Sequence, residues 1–232
     1  MNILITGGSK GIGKAVAEKF AANGYTIFIC ARNETELAST AKEISEKYGA
    51  KVFYKAFDVS NKKELKALAA WVLNEVSSVD VLINNAGSFV PGRVHEEEDG
   101  SIEFLMETNV YSAYYLTKYL LPPMMQKRSG HIFNMSSIAS LKAYEAGGSY
   151  SITKFALNGL TVNLRDELKE YGIKVTSVMP GAVYTDSWSS SGLPESRFIA
   201  VKDIAELIYT AATLSPQACV EEIVIRPQLG DI

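Results

Sequence analysis

Short runs of apolar residues recur along the chain, and most of them are rich in β-branched or aromatic side chains. Runs of this length, bounded by Gly, Pro, Asn or Asp, are typical of strands that are buried on both faces. The pattern predicts seven strands, at residues 2–6, 25–31, 51–57, 80–84, 130–136, 173–179 and 222–225.

The segments between these runs place apolar residues three or four positions apart, which is the spacing of one face of an α-helix. Val16 and Phe20 show this spacing in the first segment, and Leu65 and Leu68 show it in the third. Alternating buried strands and amphipathic helices indicate a parallel sheet covered by helices on both faces. We therefore expect an α/β fold, a doubly wound, Rossmann-like sheet of about seven strands in a single domain over residues 1–232.

The composition is that of an ordinary globular protein, with 47% hydrophobic and 21% charged residues. A formal net charge of −3 gives no general attraction to nucleic acid or to an anionic membrane surface. No apolar run reaches the length of a membrane span, and no basic segment precedes the first strand. Two cysteines, Cys30 and Cys219, are too few for a disulfide scaffold. We expect a cytoplasmic protein with neither nucleic acid nor membrane as a partner.

Four acidic residues, at positions 96–99, directly precede a segment with helical spacing at 101–127. Negative charge complements the positive end of the helix dipole, so we interpret the cluster as solvated and structural rather than metal-binding. His95 and His131 are isolated, and each is interpreted as a surface or hydrogen-bonded histidine rather than a ligand. The sequence predicts no metal site.

The first predicted strand ends in the glycine-rich sequence Thr6-Gly7-Gly8-Ser9-Lys10-Gly11-Ile12-Gly13, and a helical segment follows at once. Glycines allow a tight turn and close approach of the backbone to a pyrophosphate, which free N–H groups and the helix dipole hold. The spacing differs from G-x-G-x-x-G, and the motif alone fits a structural turn equally well. Other turn-forming residues follow the third, fourth and sixth strands, at Asp58-Val59, Asn84-Asn85-Ala86-Gly87 and Pro180-Gly181. All lie at the sheet edge where open α/β sheets bind ligands.

Tyr150 and Lys154 are four residues apart, so on a helix they lie on one face. An ammonium close to a phenol favours the phenolate and lowers the tyrosine pKa from its usual value of about 10. A Tyr-x-x-x-Lys pair is by itself more often an exposed pair on a helix surface. Ser137, at the end of the fifth strand, precedes Tyr150 by thirteen residues.

Together these motifs resemble the short-chain dehydrogenase/reductase family, and the resemblance extends over residues 1–232. In the family's order they are Thr6-Gly7-x-x-x-Gly11-x-Gly13, Asp58-Val59, Asn84-Asn85-Ala86-Gly87, Asn109, Ser137, Tyr150-x-x-x-Lys154 and Pro180-Gly181-x-x-x-Thr185. The resemblance implies an NAD(P)-dependent oxidoreductase that acts on a small ketone, aldehyde or 3-oxoacyl-type substrate, or on the corresponding alcohol.

The resemblance also implies roles for individual residues. Tyr150 would be the general acid, Ser137 would polarise the carbonyl, and Asn109 would support a water-linked proton path. Lys154 would lower the pKa of Tyr150 and hold the nicotinamide ribose. The residues expected around the pyrophosphate are Gly7, Ser9, Ile12 and Gly13. Asp58 and Val59 would contact the adenine, Asn85 and Ala86 the adenosine side, and Val183 and Thr185 the carboxamide. The remaining residues of the expected cofactor site are Gly11, Gly87, Pro180 and Gly181. Adjacent strand residues point to opposite faces, so only one of Ser136 and Ser137 would face the substrate, and the resemblance selects Ser137.

NADPH is the expected cofactor, because the second strand ends in Ala31 and Arg32 where NAD-specific sites carry a carboxylate. No group near this strand end is expected to repel a 2′-phosphate, and Lys10 offers a second cation beside Arg32. Residues 182–200 should form much of the substrate wall, with Phe89 and His95 on the other side.

The segment 101–127 and the helix carrying Tyr150 resemble the helix pair that forms dimers in this family, so a homodimer or homotetramer is expected. A different interpretation is a catalytically silent protein that senses dinucleotide or acts as a scaffold on the same fold. The complete set of Asn109, Ser137, Tyr150 and Lys154 favours an enzyme, because a binding module needs no proton donor.

Overall fold

The computed structural model describes residues 1–143, 145–188 and 191–232, apart from the side chain of Ser187. The strands are β1 (Asn2–Thr6), β2 (Thr26–Ala31), β3 (Val52–Ala56), β4 (Val81–Asn84), β5 (Gly130–Met135), β6 (Ile173–Pro180) and β7 (Glu222–Ile225). The helices are α1 (Gly11–Ala21), α2 (Glu34–Tyr48), α3 (Lys62–Glu75), α4 (Ser101–Met106), α5 (Ser112–Lys127), α6 (Gly148–Leu168) and α7 (Val201–Thr213).

The seven strands form one parallel sheet in the order β3-β2-β1-β4-β5-β6-β7. The predicted doubly wound fold is thereby confirmed, and each predicted strand is found with its ends shifted by one or two residues at most. The chain runs outward from β1 to β3 and then returns to place β4 on the other side of β1. The carboxyl ends of β1 and β4 therefore flank the point where the strand order reverses, which is where such sheets bind ligands.

Both faces of the central strands are buried, which explains why these strands are largely apolar, whereas the edge strands β3 and β7 are partly exposed. Ile3 and Ile5 point to one face, where the apolar residues of α1, α2 and α7 pack. Leu4 and Leu82 point to the other face, where α3, α5 and α6 pack. Within the described parts of the chain, no helix is long and apolar enough to cross a membrane.

The segment 101–127 is not the single regular helix that the sequence predicts. A π-helical turn at Glu107–Tyr111 separates α4 from α5. A π-helical turn widens the backbone spiral by one residue and redirects the side chains within it, and such turns are frequent at functional sites. Asn109 lies at the centre of this turn and is only 2% exposed.

Candidate active site

A cleft of about 940 Å³ runs along the carboxyl edge of the sheet. It is lined by the segments that follow β1 to β6, so it crosses the point where the strand order reverses. The predicted site residues that line it are Gly7, Ser9, Lys10, Gly11, Ile12, Arg32, Asp58, Val59, Asn85, Ala86, Gly87, Ser137, Tyr150, Lys154, Pro180, Gly181, Val183 and Thr185. The sheet topology thus brings together residues that are up to 178 positions apart, from Gly7 to Thr185.

Two predicted site residues, Gly13 and Asn109, do not line the cleft. A Cβ atom on Gly13 would lie 2.2 Å from the carbonyl oxygen of Gly7, so Gly13 permits the turn to close rather than offering a surface. Gly7 has a φ of 66°, a left-handed conformation that suits glycine. The helix α1 begins directly in this turn, and its N-cap residue Lys10 makes no side-chain cap hydrogen bond. The first N–H groups of α1 therefore remain available to an anion.

Asn85 fixes the glycine turn against the end of β4. Its side-chain amide donates to the carbonyl oxygens of Thr6 and Gly7 at 2.9 and 3.1 Å. The hydroxyl of Thr6 in return accepts from the backbone N–H groups of Asn85 and Ala86, each at 3.0 Å. The side chain of Asn85 therefore holds the backbone of the glycine turn in place and also lines the cleft.

Ser137, Tyr150 and Lys154 lie together on one wall of the cleft. The Nζ of Lys154 is 5.4 Å from the ring centroid of Tyr150 and donates to the carbonyl oxygen of Met135 at 2.8 Å. The hydroxyl of Ser137 accepts from the N–H of Ala139 at 3.1 Å and donates to the carbonyl oxygen of Pro180 at 3.5 Å, and it lowers the pKa of Tyr150. The spacing of Tyr150 and Lys154 on α6 thus produces the shared face that the sequence predicts.

Burial dominates the electrostatics of this wall. Burial raises the pKa of Tyr150, and the hydrogen bond from Ser137 opposes this effect. Burial also lowers the pKa of Lys154 to about 8, because a charged ammonium is poorly solvated there. Burial is the larger of these two effects on Tyr150, and the lowering of its pKa by Lys154 stays a prediction. With a pKa of about 8, Lys154 is still mostly protonated at pH 7.

The two adjacent serines follow the last residue of β5, and both line the cleft, but their hydroxyls make different contacts. Ser136 is 5% exposed, and its hydroxyl donates to the carbonyl oxygen of Lys154 at 3.4 Å. Ser137 is less buried, and its hydroxyl lowers the pKa of Tyr150. Of the two hydroxyls, that of Ser137 is the one placed beside the phenol.

Asn109 holds the backbone that follows β4. Its Oδ1 accepts from the N–H of Ser88 at 2.7 Å, while its Nδ2 donates to the carbonyl oxygen of Ser88 at 2.9 Å and to Oγ1 of Thr153 at 3.1 Å. A Cβ atom on Gly87 would lie 3.1 Å from Oδ1 of Asn109 and 3.8 Å from Nζ of Lys154. Glycine at this position therefore allows the loop, Asn109 and Lys154 to approach one another closely.

Lys10, which is expected to join Arg32 in holding a 2′-phosphate, contacts an acidic residue in the structure, and its role toward the phosphate stays a prediction. The Nζ of Lys10 lies 2.7 Å from Oδ2 of Asp186, and this contact raises the pKa of Lys10. Lys10 is thus directed across the cleft toward the segment that follows β6, because that segment lies against the glycine turn. Arg32 lines the cleft at the end of β2 as expected.

Glu36 lines the cleft near Arg32 and Ser9, and the sequence analysis did not identify it. Its Oε2 accepts from the hydroxyl of Ser9 at 3.4 Å, and its charge also raises the pKa of Lys10. Glu36 thus places a negative charge along the cleft near the end of β2, where no acidic group was expected. The N-cap of α2 is Asn33, whose side chain accepts from the N–H of Glu36. An Asn followed three residues later by Glu is a signature of a helix start, in which the Glu side chain turns back toward the N-cap. This pattern could have predicted that Glu36 lies near the cleft.

Aromatic rings border the opposite end of the cleft. Phe89 contacts Tyr150 edge to face, with ring centroids 4.8 Å apart, yet it is 48% exposed. Phe104 and Trp188 line the same region, and the ring of Trp188 packs against Phe198. His95 does not line the cleft, contrary to expectation, because it lies exposed beside Glu96. Of the predicted substrate wall, residues 189 and 190 lie outside the described residues.

The sequence matches the family described as short chain dehydrogenase over residues 1–195. It is 31% identical to an uncharacterized oxidoreductase of Staphylococcus saprophyticus, over 97% of this chain and 96% of that protein. The fold is similar to that of a metagenomic short-chain oxidoreductase in complex with NADP, with a TM-score of 0.86, 30% identity, and coverage of 98% and 97% of the two chains. It is also similar to an alcohol dehydrogenase from the archaeon Thermococcus sibiricus complexed with 5-hydroxy-NADP, with a TM-score of 0.91, 28% identity, and coverage of 98% and 96%.

Proposed function

The chain belongs to the short-chain dehydrogenase family and is an NAD(P)-dependent oxidoreductase, and we propose that it is an NADPH-dependent carbonyl reductase. The substrate would be a small ketone, aldehyde or 3-oxoacyl-type compound, or the corresponding alcohol in the reverse direction. The observation that carries the proposal is the convergence of Ser137, Tyr150 and Lys154 on one wall of a cleft that begins at a glycine turn.

The cleft has the features that a dinucleotide requires. The start of α1 offers backbone N–H groups to a pyrophosphate, and Asp58 and Val59 border the cleft on the side of β3. Lys154, deeper in the cleft, would hold the ribose next to the nicotinamide. When bound, the nicotinamide supplies the hydride that the carbonyl carbon receives.

Tyr150 would donate its phenolic proton to the carbonyl oxygen, and Ser137 would donate a hydrogen bond to the same oxygen. Burial raises the pKa of Tyr150, which keeps the phenol in the protonated form that carbonyl reduction needs. The positive charge on Lys154 would stabilise the phenolate that remains after the proton has left. Asn109 would keep the Ser88 backbone in place beside these groups, consistent with its two hydrogen bonds to that residue.

We propose a preference for NADPH over NADH that rests on Arg32, with Ala31 replacing the carboxylate of NAD-specific sites. Glu36 opposes this preference, because a carboxylate close to Ser9 repels a 2′-phosphate. Two solved structures with similar folds contain NADP or 5-hydroxy-NADP. A single charged hydrogen bond from Arg32 would favour NADPH by about 10- to 100-fold.

We propose that the protein forms a homodimer or homotetramer through α5 and α6. Large apolar side chains are exposed on these helices, since Ile152 and Phe155 of α6 are each 47% exposed and Tyr114 of α5 is 43% exposed. Exposed apolar groups on adjacent helices are typical of a protein interface.

A cytoplasmic location is also part of the proposal. Cys30 and Cys219 are both free, which fits a reducing compartment. Burial raises the pKa of Cys30 to about 12, so this thiol is unreactive and acts as a small apolar residue.

The test of the function is carbonyl reduction with NADPH in three single variants, after a screen of ketones, aldehydes and quinones has identified a substrate. Tyr150→Phe should lower kcat by about 10²- to 10⁴-fold, because the positioned general acid is lost. Ser137→Ala should lower kcat by about 10²-fold or more through loss of a hydrogen bond to the substrate oxygen. Ser136→Ala is the matched control and should stay close to the wild type.

Cofactor affinity should change little in all three variants, because none of these hydroxyls lies at the adenosine end. Wild-type turnover by Tyr150→Phe would remove the phenol from the mechanism. A wild-type protein that binds NADPH and reduces none of the carbonyls would favour the catalytically silent alternative instead.

A further inference from the structure

Glu97 is directed inward, whereas the other three residues of the acidic cluster at 96–99 are exposed. One oxygen of its carboxylate accepts from the backbone N–H of Ser149 at 2.8 Å. The other oxygen accepts from the hydroxyl of Ser149, which is itself only 3% exposed. Ser149 is the second residue of α6, and Tyr150 follows it directly. The interpretation of the cluster as solvated charge at the start of the helical segment 101–127 is therefore wrong for Glu97.

A carboxylate at this place is suited to the start of α6. The first N–H groups of a helix have no partner within the helix, and the helix dipole favours a negative charge beside them. The N-cap residue of α6 is Gly147, which has no side chain to supply this hydrogen bond. Glu97 therefore supplies the cap from a position 52 residues earlier in the chain.

Two glycines leave the space that the carboxylate occupies. A Cβ atom on Gly148 would lie 2.0 Å from Oε1 of Glu97, and a Cβ atom on Gly92 would lie 2.6 Å from its Cγ. Any side chain larger than hydrogen at either position would displace Glu97. The contact thus depends on a pocket formed jointly by the start of α6 and by the segment that contains Glu97.

That segment, residues 88–100, is here named the cleft loop. It is fastened to the residues before α6 at a second point, where the N–H of Gly92 donates to the carbonyl oxygen of Ala146 at 3.0 Å. The cleft loop also carries Phe89, whose ring contacts that of Tyr150. Glu97 therefore links the two elements that meet at the phenol, the cleft loop and the first turn of α6.

We propose that Glu97 is a positioning residue for the reaction, which acts by fixing Tyr150 and Phe89 relative to each other. The proposal rests on the proposed function, because it takes Tyr150 as the proton donor. Glu97 does not line the cleft, so its effect would pass through Ser149 and the cleft loop. Displacement of a reacting group by about 1 Å costs roughly 100-fold in rate, so a loosened first turn of α6 is sufficient to impair catalysis.

The test compares Glu97→Ala and Glu97→Gln with Glu98→Ala, all at a temperature well below the melting temperature of each variant. Glu98 is the matched control, because its removal takes the same charge from the same cluster but from an exposed position. Glu97→Ala should lower kcat by about 10- to 100-fold and leave cofactor affinity close to that of the wild type. Glu97→Gln keeps an acceptor for the N–H of Ser149 and should restore most of kcat. Glu98→Ala should behave as the wild type.

Wild-type kcat in folded Glu97→Ala, even with a lowered melting temperature, would overturn the positioning role. So would a Glu97→Gln variant as impaired as Glu97→Ala, because the hydrogen bond would then not be the cause. Should Glu97→Ala not fold, the comparison of Glu97→Gln with Glu98→Ala by amide hydrogen exchange takes its place. Exchange at Ser149 should stay as slow in Glu97→Gln as in Glu98→Ala, and rapid exchange in Glu97→Gln would contradict the proposal.

The exchange measurement also separates the two proposals. A wild-type protein that reduces no carbonyl contradicts the proposed function, whereas exchange at Ser149 reports the contact with Glu97 without any turnover. Equal protection of this amide in wild type and in folded Glu97→Ala would show that the contact is absent, whatever the substrate.

Discussion

His131 lies within β5, and its titration predicts how the fold responds to acid. The residue is 4% exposed, and its ring stacks on that of Phe133 with centroids 4.0 Å apart. Its Nε2 lies 2.7 Å from Oγ1 of Thr176, whose hydroxyl donates to the carbonyl oxygen of Val220 at 2.6 Å. Because that hydroxyl proton is already used, Nε2 must carry the imidazole proton and donate to Thr176. Burial, assisted by the charge of Lys174, lowers the pKa of His131 to about 3.

The lowered pKa makes acid favour the unfolded chain. An unfolded histidine has a pKa of about 6.5, so between about pH 6.5 and pH 3 the unfolded state binds a proton that the folded state does not. The part of the free energy of unfolding that depends on a neutral His131 is therefore fully present above about pH 6.5. It is lost progressively as the pH falls below that value. Between pH 7 and pH 5 the loss in the free energy of unfolding is about 2 kcal/mol.

Urea denaturation at pH 7 and pH 5, in wild type and in His131→Gln, measures this contribution. Glutamine keeps an N–H donor for Thr176 but does not titrate, and the carboxylates titrate in both proteins, so they cancel in the difference. The wild type should lose about 2 kcal/mol more than the variant over this pH range. Equal losses in the two proteins would refute the argument that burial keeps His131 neutral.

Two further predictions concern the cofactor and the assembly. In the wild type, kcat/KM should be higher with NADPH than with NADH. The double variant Ala31→Asp, Arg32→Ile should shift the ratio of these two values toward NADH. Glu36→Gln should shift the ratio further toward NADPH, because it removes a carboxylate that repels the phosphate. Equal values for the two cofactors in the wild type would show that Arg32 does not recognise the phosphate. In sedimentation velocity at micromolar concentration the wild type should be dimeric or tetrameric and Phe155→Glu should shift it toward the monomer, whereas a monomeric wild type would contradict the interface on α5 and α6.

Features that follow from local pattern could be predicted from the sequence. The strands were identifiable because the central strands are buried on both faces, so that most of their positions are apolar. The choice of Ser137 over Ser136 came from the resemblance to the family, because alternation along a strand indicates only that one of the two faces the substrate. Tyr150 and Lys154 share a face because they are one helical turn apart.

Features that depend on how distant segments of the chain meet in space could not be predicted from the sequence. Lys10 contacts Asp186, and Glu97 contacts Ser149, through flexible side chains that reach across loops, and no periodicity encodes such contacts. The direction of the pKa shift of Tyr150 depends on burial by elements from several parts of the chain. The π-helical turn around Asn109 likewise left no signal in the spacing of apolar residues.

The helix α6 has three different surroundings. One side presents Tyr150 and Lys154 to the cleft, another packs Leu164 against the sheet, and the outermost carries the exposed Ile152 and Phe155. A substitution that tilts the helix to suit one of these surroundings would also displace Tyr150 and Lys154, because they lie on the same helix. Evolution of new substrate ranges on this scaffold is therefore expected to proceed through the loops bordering the cleft, while the helix is inherited unchanged.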